Sequence, residues 1–163
     1  MRKIALALGL SVSICSMAAA DPGILTVRTG LTGAYSAERV VSDHPHHTIM
    51  AEARILSRGP YEAYLVELGH MRDGVHRPLR MNRAVSAGRV LDFQPIGRVE
   101  DFCTGGGTCH GWRVGAIFLS REAFQRAAGQ GMTVQVYGPD GTFELALPRE
   151  LFSEAWNEAS WLS

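Results

Sequence analysis

Alternation of apolar and polar side chains runs through most of this chain and predicts strands. From Thr48 to Leu56, Ile49, Ala51, Ala53 and Ile55 fall on one face, with Glu52 and Arg54 opposite. Gly59-Pro60 then breaks the run. Tyr61–Leu68 is apolar on both faces, Tyr61, Ala63 and Leu65 against Tyr64, Val66 and Leu68, as a central strand covered on both sides would be. Shorter strands are expected at Ile24–Arg28, near Arg39–Val41, at Val90–Ile96 with Pro95 as an interruption, and at Trp112–Leu119, where Val114, Ala116 and Phe118 share a face. Residues 29–47, with Gly30, Gly33, Ser42 and Pro45, otherwise read as a long connection. Residues 69–87 offer only Leu79, Met81 and Val85 for packing and hold one weak strand at most.

The last third changes rhythm. Ser120 is a good N-cap, Glu122 suits a first turn, and Ala123, Phe124, Ala127 and Ala128 make one apolar stripe ended by Gly129 and Gly131. Met132, Val134 and Val136 then alternate with polar neighbours. Gly138-Pro139-Asp140-Gly141 is a turn, and Phe143, Leu145 and Leu147 alternate back, which predicts a hairpin. Pro148 at a first helical position opens a closing helix with Leu151, Phe152, Ala155, Trp156 and Ala159 on one side. Strands outnumber helices and no βαβ rhythm appears. The expected fold is mainly β (α+β), an antiparallel sheet or sandwich with two short helices in the C-terminal third.

The first twenty residues do not belong to that fold. Arg2 and Lys3 precede an apolar run, Ile4–Met17, and Ala18-Ala19-Ala20 offers small side chains for a signal peptidase ahead of Asp21. The run falls short of the roughly 20 residues a spanning helix needs. Ile14 before Cys15 is not the small residue a lipoprotein signal wants. The reading is a secretory leader over residues 1–20 and a single globular domain over 21–163, periplasmic or secreted. Removing Arg2 and Lys3 leaves 14 basic against 16 acidic side chains, a net charge of about −2. With no basic run and no basic–aromatic interleaving, nucleic acid is not an expected partner, and no second apolar run is long enough to span a membrane.

Loss of Cys15 with the leader leaves Cys103 and Cys109, which in an exported chain read as a disulfide. Gly105-Gly106-Gly107 supplies slack for that ring and lacks the Gly-Lys-Ser/Thr ending of a phosphate loop. Five residues between the cysteines is wrong for covalent haem attachment despite His110, and wrong for a redox-active pair. No nucleophile elbow and no His-Glu-x-x-His motif is present. The one local cluster with ligand chemistry is Asp43-His44-Pro45-His46-His47. The imidazoles of His44, His46 and His47 suit Zn²⁺, Cu²⁺ or Ni²⁺, and His70, His76 or Asp43 could complete a shell if the fold brings them near. A solvated loop rich in histidine is the plainer alternative, and Pro45 hinders joint chelation by His44 and His46. Trp161 lies beyond the closing helix, either packed back on the sheet or exposed as a partner surface.

The cysteine pair within Phe102–Cys109, the strand and short helix after it, the Gly-bounded strand pair from Gly131 to Leu147 and the closing Phe152–Ala155 segment resemble the C-terminal half of the invasion-associated protein B family of exported bacterial proteins. The resemblance covers about 60 residues, Phe102–Ala159. The chain departs from the family in its wider cysteine spacing and in a mature N-terminal half without cysteine. The resemblance implies a periplasmic or surface-associated β-sandwich and carries over no site residue. The leading expectation is an exported, non-enzymatic binding or structural module whose partner is an envelope protein or other envelope component. The alternative is a periplasmic metal-binding protein using the His-rich loop, and a small hydrolase with an unrecognised site ranks third.

The native protein should begin at Asp21 and weigh two hydrogens less than its reduced form, with neither cysteine alkylated before reduction. Intact-mass spectrometry of protein from the producing cell checks both; a mass that includes Met1 and two alkylated thiols contradicts the reading.

Overall fold

The computed structural model describes residues 23–27, 31–44, 47–71, 79–100 and 111–160. Residues 1–20, expected to be a leader, and Cys103, Cys109 and Trp161 lie outside them. The elements are β1 (Gly23–Val27), β2 (Leu31–Tyr35), β3 (Arg39–His44), β4 (His47–Arg58), β5 (Tyr61–Met71), β6 (Arg83–Ser86), β7 (Arg89–Glu100), β8 (Gly111–Leu119), α1 (Arg121–Gln130), β9 (Met132–Gly138), β10 (Gly141–Leu147) and α2 (Arg149–Ala159). All ten strands join one antiparallel sheet in the order β1-β2-β4-β5-β8-β7-β6-β9-β10, with β3 also paired to β4. The mainly antiparallel architecture with two short C-terminal helices is therefore as expected, in the form of one curled sheet.

Curling follows from β7. Its first residues, Arg89–Leu91, pair with β6, whereas Asp92 onward pairs with β8. Pro95, which has no N–H to give the ladder, sits where the β7–β8 register shifts. The shift bends the strand, so one strand serves both halves of the sheet and β10 returns to lie against β3. The interior so formed holds Ile49, Ala51, Ala53 and Ile55 from β4, Val66 and Leu68 from β5, Val134 and Val136 from β9, and Leu145 and Leu147 from β10.

The two helices fill this interior through an aromatic cluster. Phe124 of α1 meets Phe152 of α2 edge-on, with centroids 5.2 Å apart and planes at 84°. Tyr64 of β5 lies 5.5 Å from Phe124 and stacks on Trp156 at 6.1 Å. Burial, then the neighbouring Glu62 carboxylate that accepts a hydrogen bond from its hydroxyl, pushes the Tyr64 phenol up to about 12. Ser120 caps α1 as its sequence promised, its Oγ accepting the Ala123 N–H at 3.2 Å, and Gly131 closes the helix at φ 72°. Pro148 stands at the N-cap of α2 rather than inside its first turn.

Residues 29–47 are not one long connection. β2 and β3 lie end to end along the same edge of β4, separated by Ser36-Ala37-Glu38. Ser36 keeps that edge satisfied: its N–H donates to the Ala53 carbonyl at 2.9 Å, and its Oγ accepts the Ala53 N–H at 2.9 Å. The freed Ala37 N–H donates to Glu154 Oε2 of α2 at 3.1 Å, and Arg39 pairs with the same carboxylate. An interrupted edge thereby becomes the dock for a helix.

Two other details of the sequence reading change. Tyr61 is 74% exposed, because it flanks the Gly59-Pro60 turn where the sheet ends. In β8 the register shift against Leu68/Gly69 breaks the simple alternation, so that Val114 and Ile117 enter the core while Phe118 stands opposite Leu65 on the other face.

The β6–β7 turn carries Ala87 at φ 48° and Gly88 at φ 75°, a pair of positive values suited to Asn-Gly and unfavourable for alanine. Ala87→Asn should stabilise the protein by about 1 kcal/mol. Gly138→Ala should destabilise it by about 1–3 kcal/mol or more, because the added Cβ would meet the Arg80 carbonyl oxygen at 1.9 Å. Urea unfolding of the two variants checks both signs.

Candidate functional site

Two groups of chemistry-bearing side chains form on opposite faces of the β4–β5 pair. The first is at the end of the sheet where the β3–β4 hairpin turns. Side chains two apart on a strand share a face, so His47 lies on the inner side with Ile49, and His70 with Leu68. The ladder sets His70 opposite Ile49 and, on the other side of β5, opposite Trp112. His47 and His70 are diagonal neighbours as a result, and His47 Nδ1 lies 3.1 Å from His70 Nε2. Their centroids are 5.2 Å apart with planes inclined by 44°. The ring of Phe143, brought over by β10, meets His47 edge-on at 5.5 Å.

The two imidazoles differ in access. His70 is 1% exposed and belongs to the interior, whereas His47 is half-buried. One proton serves the contact: one ring donates it and the other accepts, with the tautomers deciding which. Protonating both facing nitrogens would set two donors and two like charges against each other.

Of the three expected metal ligands, His47 takes part in this pair. His44 occupies the position opposite His47 in the β3–β4 ladder. The side chain of His44, and all of His46 and Pro45, lie outside the described residues, as does His76. Among the described residues no group of three or more His, Cys, Asp or Glu side chains is gathered closely enough to hold a metal ion. His70 entered the sequence reading only as one of several residues that could join the cluster. Phe143 is marked by the sequence as a hairpin residue and not as part of this group, since only the curl of the sheet brings β10 to this end.

The second group is on the outer face. Glu52 and Glu67 stand directly opposite each other in the ladder, an unfavourable pairing of like charges. Arg54 resolves it by bridging both, with Nε 2.6 Å from Glu52 Oε1 and Nη2 3.0 Å from Glu67 Oε2. Arg113, only 8% exposed, pairs with Glu67 from β8. Two positive and two negative charges thus alternate across three strands, and the group neutralises itself. Sequence alternation had marked Glu52 and Arg54 as outward-facing, but the link to Glu67 and Arg113 depends on register.

Among the described residues, no helix is long and apolar enough to cross a membrane. Comparison of the chain with family models, with curated proteins and with solved structures finds no match in any of the three. The assignment of function therefore rests on the chain's own chemistry.

Arg54→Met should cost about 1–3 kcal/mol, because it leaves two carboxylates facing each other in a half-buried place. Adding Glu52→Gln to that variant should restore part of the loss, which chemical denaturation of both proteins measures.

Proposed function

We propose that the protein is an exported, non-catalytic binding module of the cell envelope. It engages its partner through the end of the sheet where the β3–β4 hairpin, the last residues of β5 and β10 converge. The observation that carries this reading is the meeting of His47, His70 and Phe143 there, residues that the chain keeps far apart. His47 is held from behind by two rings and keeps part of its own surface open to solvent. That arrangement fixes an exposed recognition group on a rigid strand, which lowers the ordering cost of binding.

Other features are consistent with it. The leader and the cysteine pair point to an oxidising compartment outside the cytoplasm. The resemblance of Phe102–Ala159 to the invasion-associated protein B family points to the same setting. The charges on the outer face are paired with one another, which leaves them little to offer a ligand. A specific observation also favours the second reading, a periplasmic metal-binding protein: two imidazole nitrogens already stand 3.1 Å apart.

Untagged mature protein coupled to a resin should capture a specific component from the native envelope fraction. His47→Ala should lose that capture, whereas Tyr61→Ala, at the far end of the same strand pair, should keep it. Equal capture by wild type and His47→Ala contradicts the assignment of the surface.

A further inference from the structure

The outer face of β6, β9 and β10 carries opposite charges that a single copy of the chain leaves unmatched. Ala84, Val134, Val136 and Leu145 point into the core, so alternation sends Arg83, Val85, Gln135, Tyr137 and Glu144 to the other side. Val90 of β7 joins them opposite Val85. The β6–β7, β6–β9 and β9–β10 ladders run without a register shift, which keeps this face even. It is open to solvent: Val90 is 63% exposed, Arg83 and Glu144 are exposed, and the two helices pack instead among β1, β2, β4 and β5. On the outer face of β4 and β5 the charges satisfy one another. Here, among the described residues, neither Arg83 nor Glu144 enters an ion pair. Glu144 accepts the neutral amide of Gln135 at 3.4 Å, and that amide accepts the Tyr137 hydroxyl at 2.5 Å. β9 stands between the two charges. Arg83 is opposite Tyr137, Tyr137 is opposite Thr142, and Glu144 is the next outward position along β10. Two strand spacings and one outward step hold their backbones about 12 Å apart.

We infer that a second copy of this chain docks on this face, forming a twofold dimer in which Arg83 of each copy pairs with Glu144 of the other. Charges that flank one strand and cannot meet in one copy can meet between two. A twofold axis along β9 lays β6 of each copy over β10 of the other, in the aligned arrangement that two packed sheets favour. The symmetry makes the Arg83–Glu144 contact twice and brings the two Tyr137 rings together beside the axis, where an amphipathic aromatic suits an interface. The same contact takes Val85 out of water. Charge complementarity selects this occupant: a polyanion would satisfy Arg83 and be repelled by Glu144, and a polycation would do the reverse. Three or four strands about 4.8 Å apart, each some five residues long, give a footprint of a few hundred Å², small beside the roughly 800 Å² per partner of a standard interface. The dimer is therefore reversible and of modest strength. It does not depend on the histidine end of the sheet or on the partner proposed to bind there.

Analytical ultracentrifugation of untagged mature protein, over roughly 5–500 μM at low and at high salt, tests this, because exposed ion pairs weaken as salt screens them. Wild type should show a reversible monomer–dimer equilibrium that weakens with salt. Both charged side chains are exposed, so their replacement leaves the core intact, and circular dichroism checks the fold. Arg83→Glu alone and Glu144→Arg alone each set like charges against each other twice and should dimerise at least tenfold more weakly. An equimolar mixture of the two single variants should dimerise again, because each contact in the mixed dimer then joins opposite charges. The double variant Arg83→Glu/Glu144→Arg should dimerise as wild type does. A wild type that stays monomeric throughout the range overturns the inference. So does dimerisation by either folded single variant equal to wild type, or a mixture that associates no better than its components.

Discussion

The register between β4 and β5 is the constraint on which the rest of the molecule depends. It runs from Arg58↔Tyr61 at the turn to Thr48↔Met71 at the far end without a shift. A two-residue Gly59-Pro60 connection sets it, and a slip of one residue would turn every side chain of one strand to the other face. Ile49, Ala51, Ala53 and Ile55 would then leave the core. The same slip would part His47 from His70 and move Glu67 from its arginines. Core, histidine pair and charge group are three results of one alignment.

The remaining structure completes what that pair begins. β8 extends the ladder on one side, and the bend in β7 carries the sheet round until β10 faces β3. The two helices close the interior with Phe124, Phe152 and Trp156. On the other side Ser36 bridges the gap between β2 and β3 and presents Ala37 to Glu154, so a break in the edge strand ties the C-terminal helix to the N-terminal half. Contacts between distant parts of the chain dominate this topology, which places it among slow-folding, cooperative β-rich domains.

What could be read from the chain follows from how local each signal is. The Ser120 cap, the α1 and α2 stripes and the hairpin from Met132 to Leu147 were legible because each depends on neighbours within a few residues. The long strand β4 was legible because its alternation is clean. β2 was not, and only the Arg39–Val41 part of β3 was, because Gly33 and Ser36 weaken the pattern and the strand identity of this segment comes from pairing with β4. Val114 does not share the face of Ala116 and Phe118, because the β5–β8 shift cannot be seen in one strand's alternation. The histidine end was half legible: His44, His46 and His47 stand out as a cluster, but His70 is 23 residues on from His47 and only the ladder joins them. Phe143 depends on the curl of the whole sheet, and no local pattern encodes it.

The most direct measurement is a nitrogen-15 spectrum of the histidine side chains in the protein, with coupling recorded across hydrogen bonds. The account predicts a resolved coupling between His47 Nδ1 and His70 Nε2, with one shared proton protected from exchange. Two uncoupled rings, each exchanging freely with water, would contradict the alignment of β4 on β5 and the site built on it.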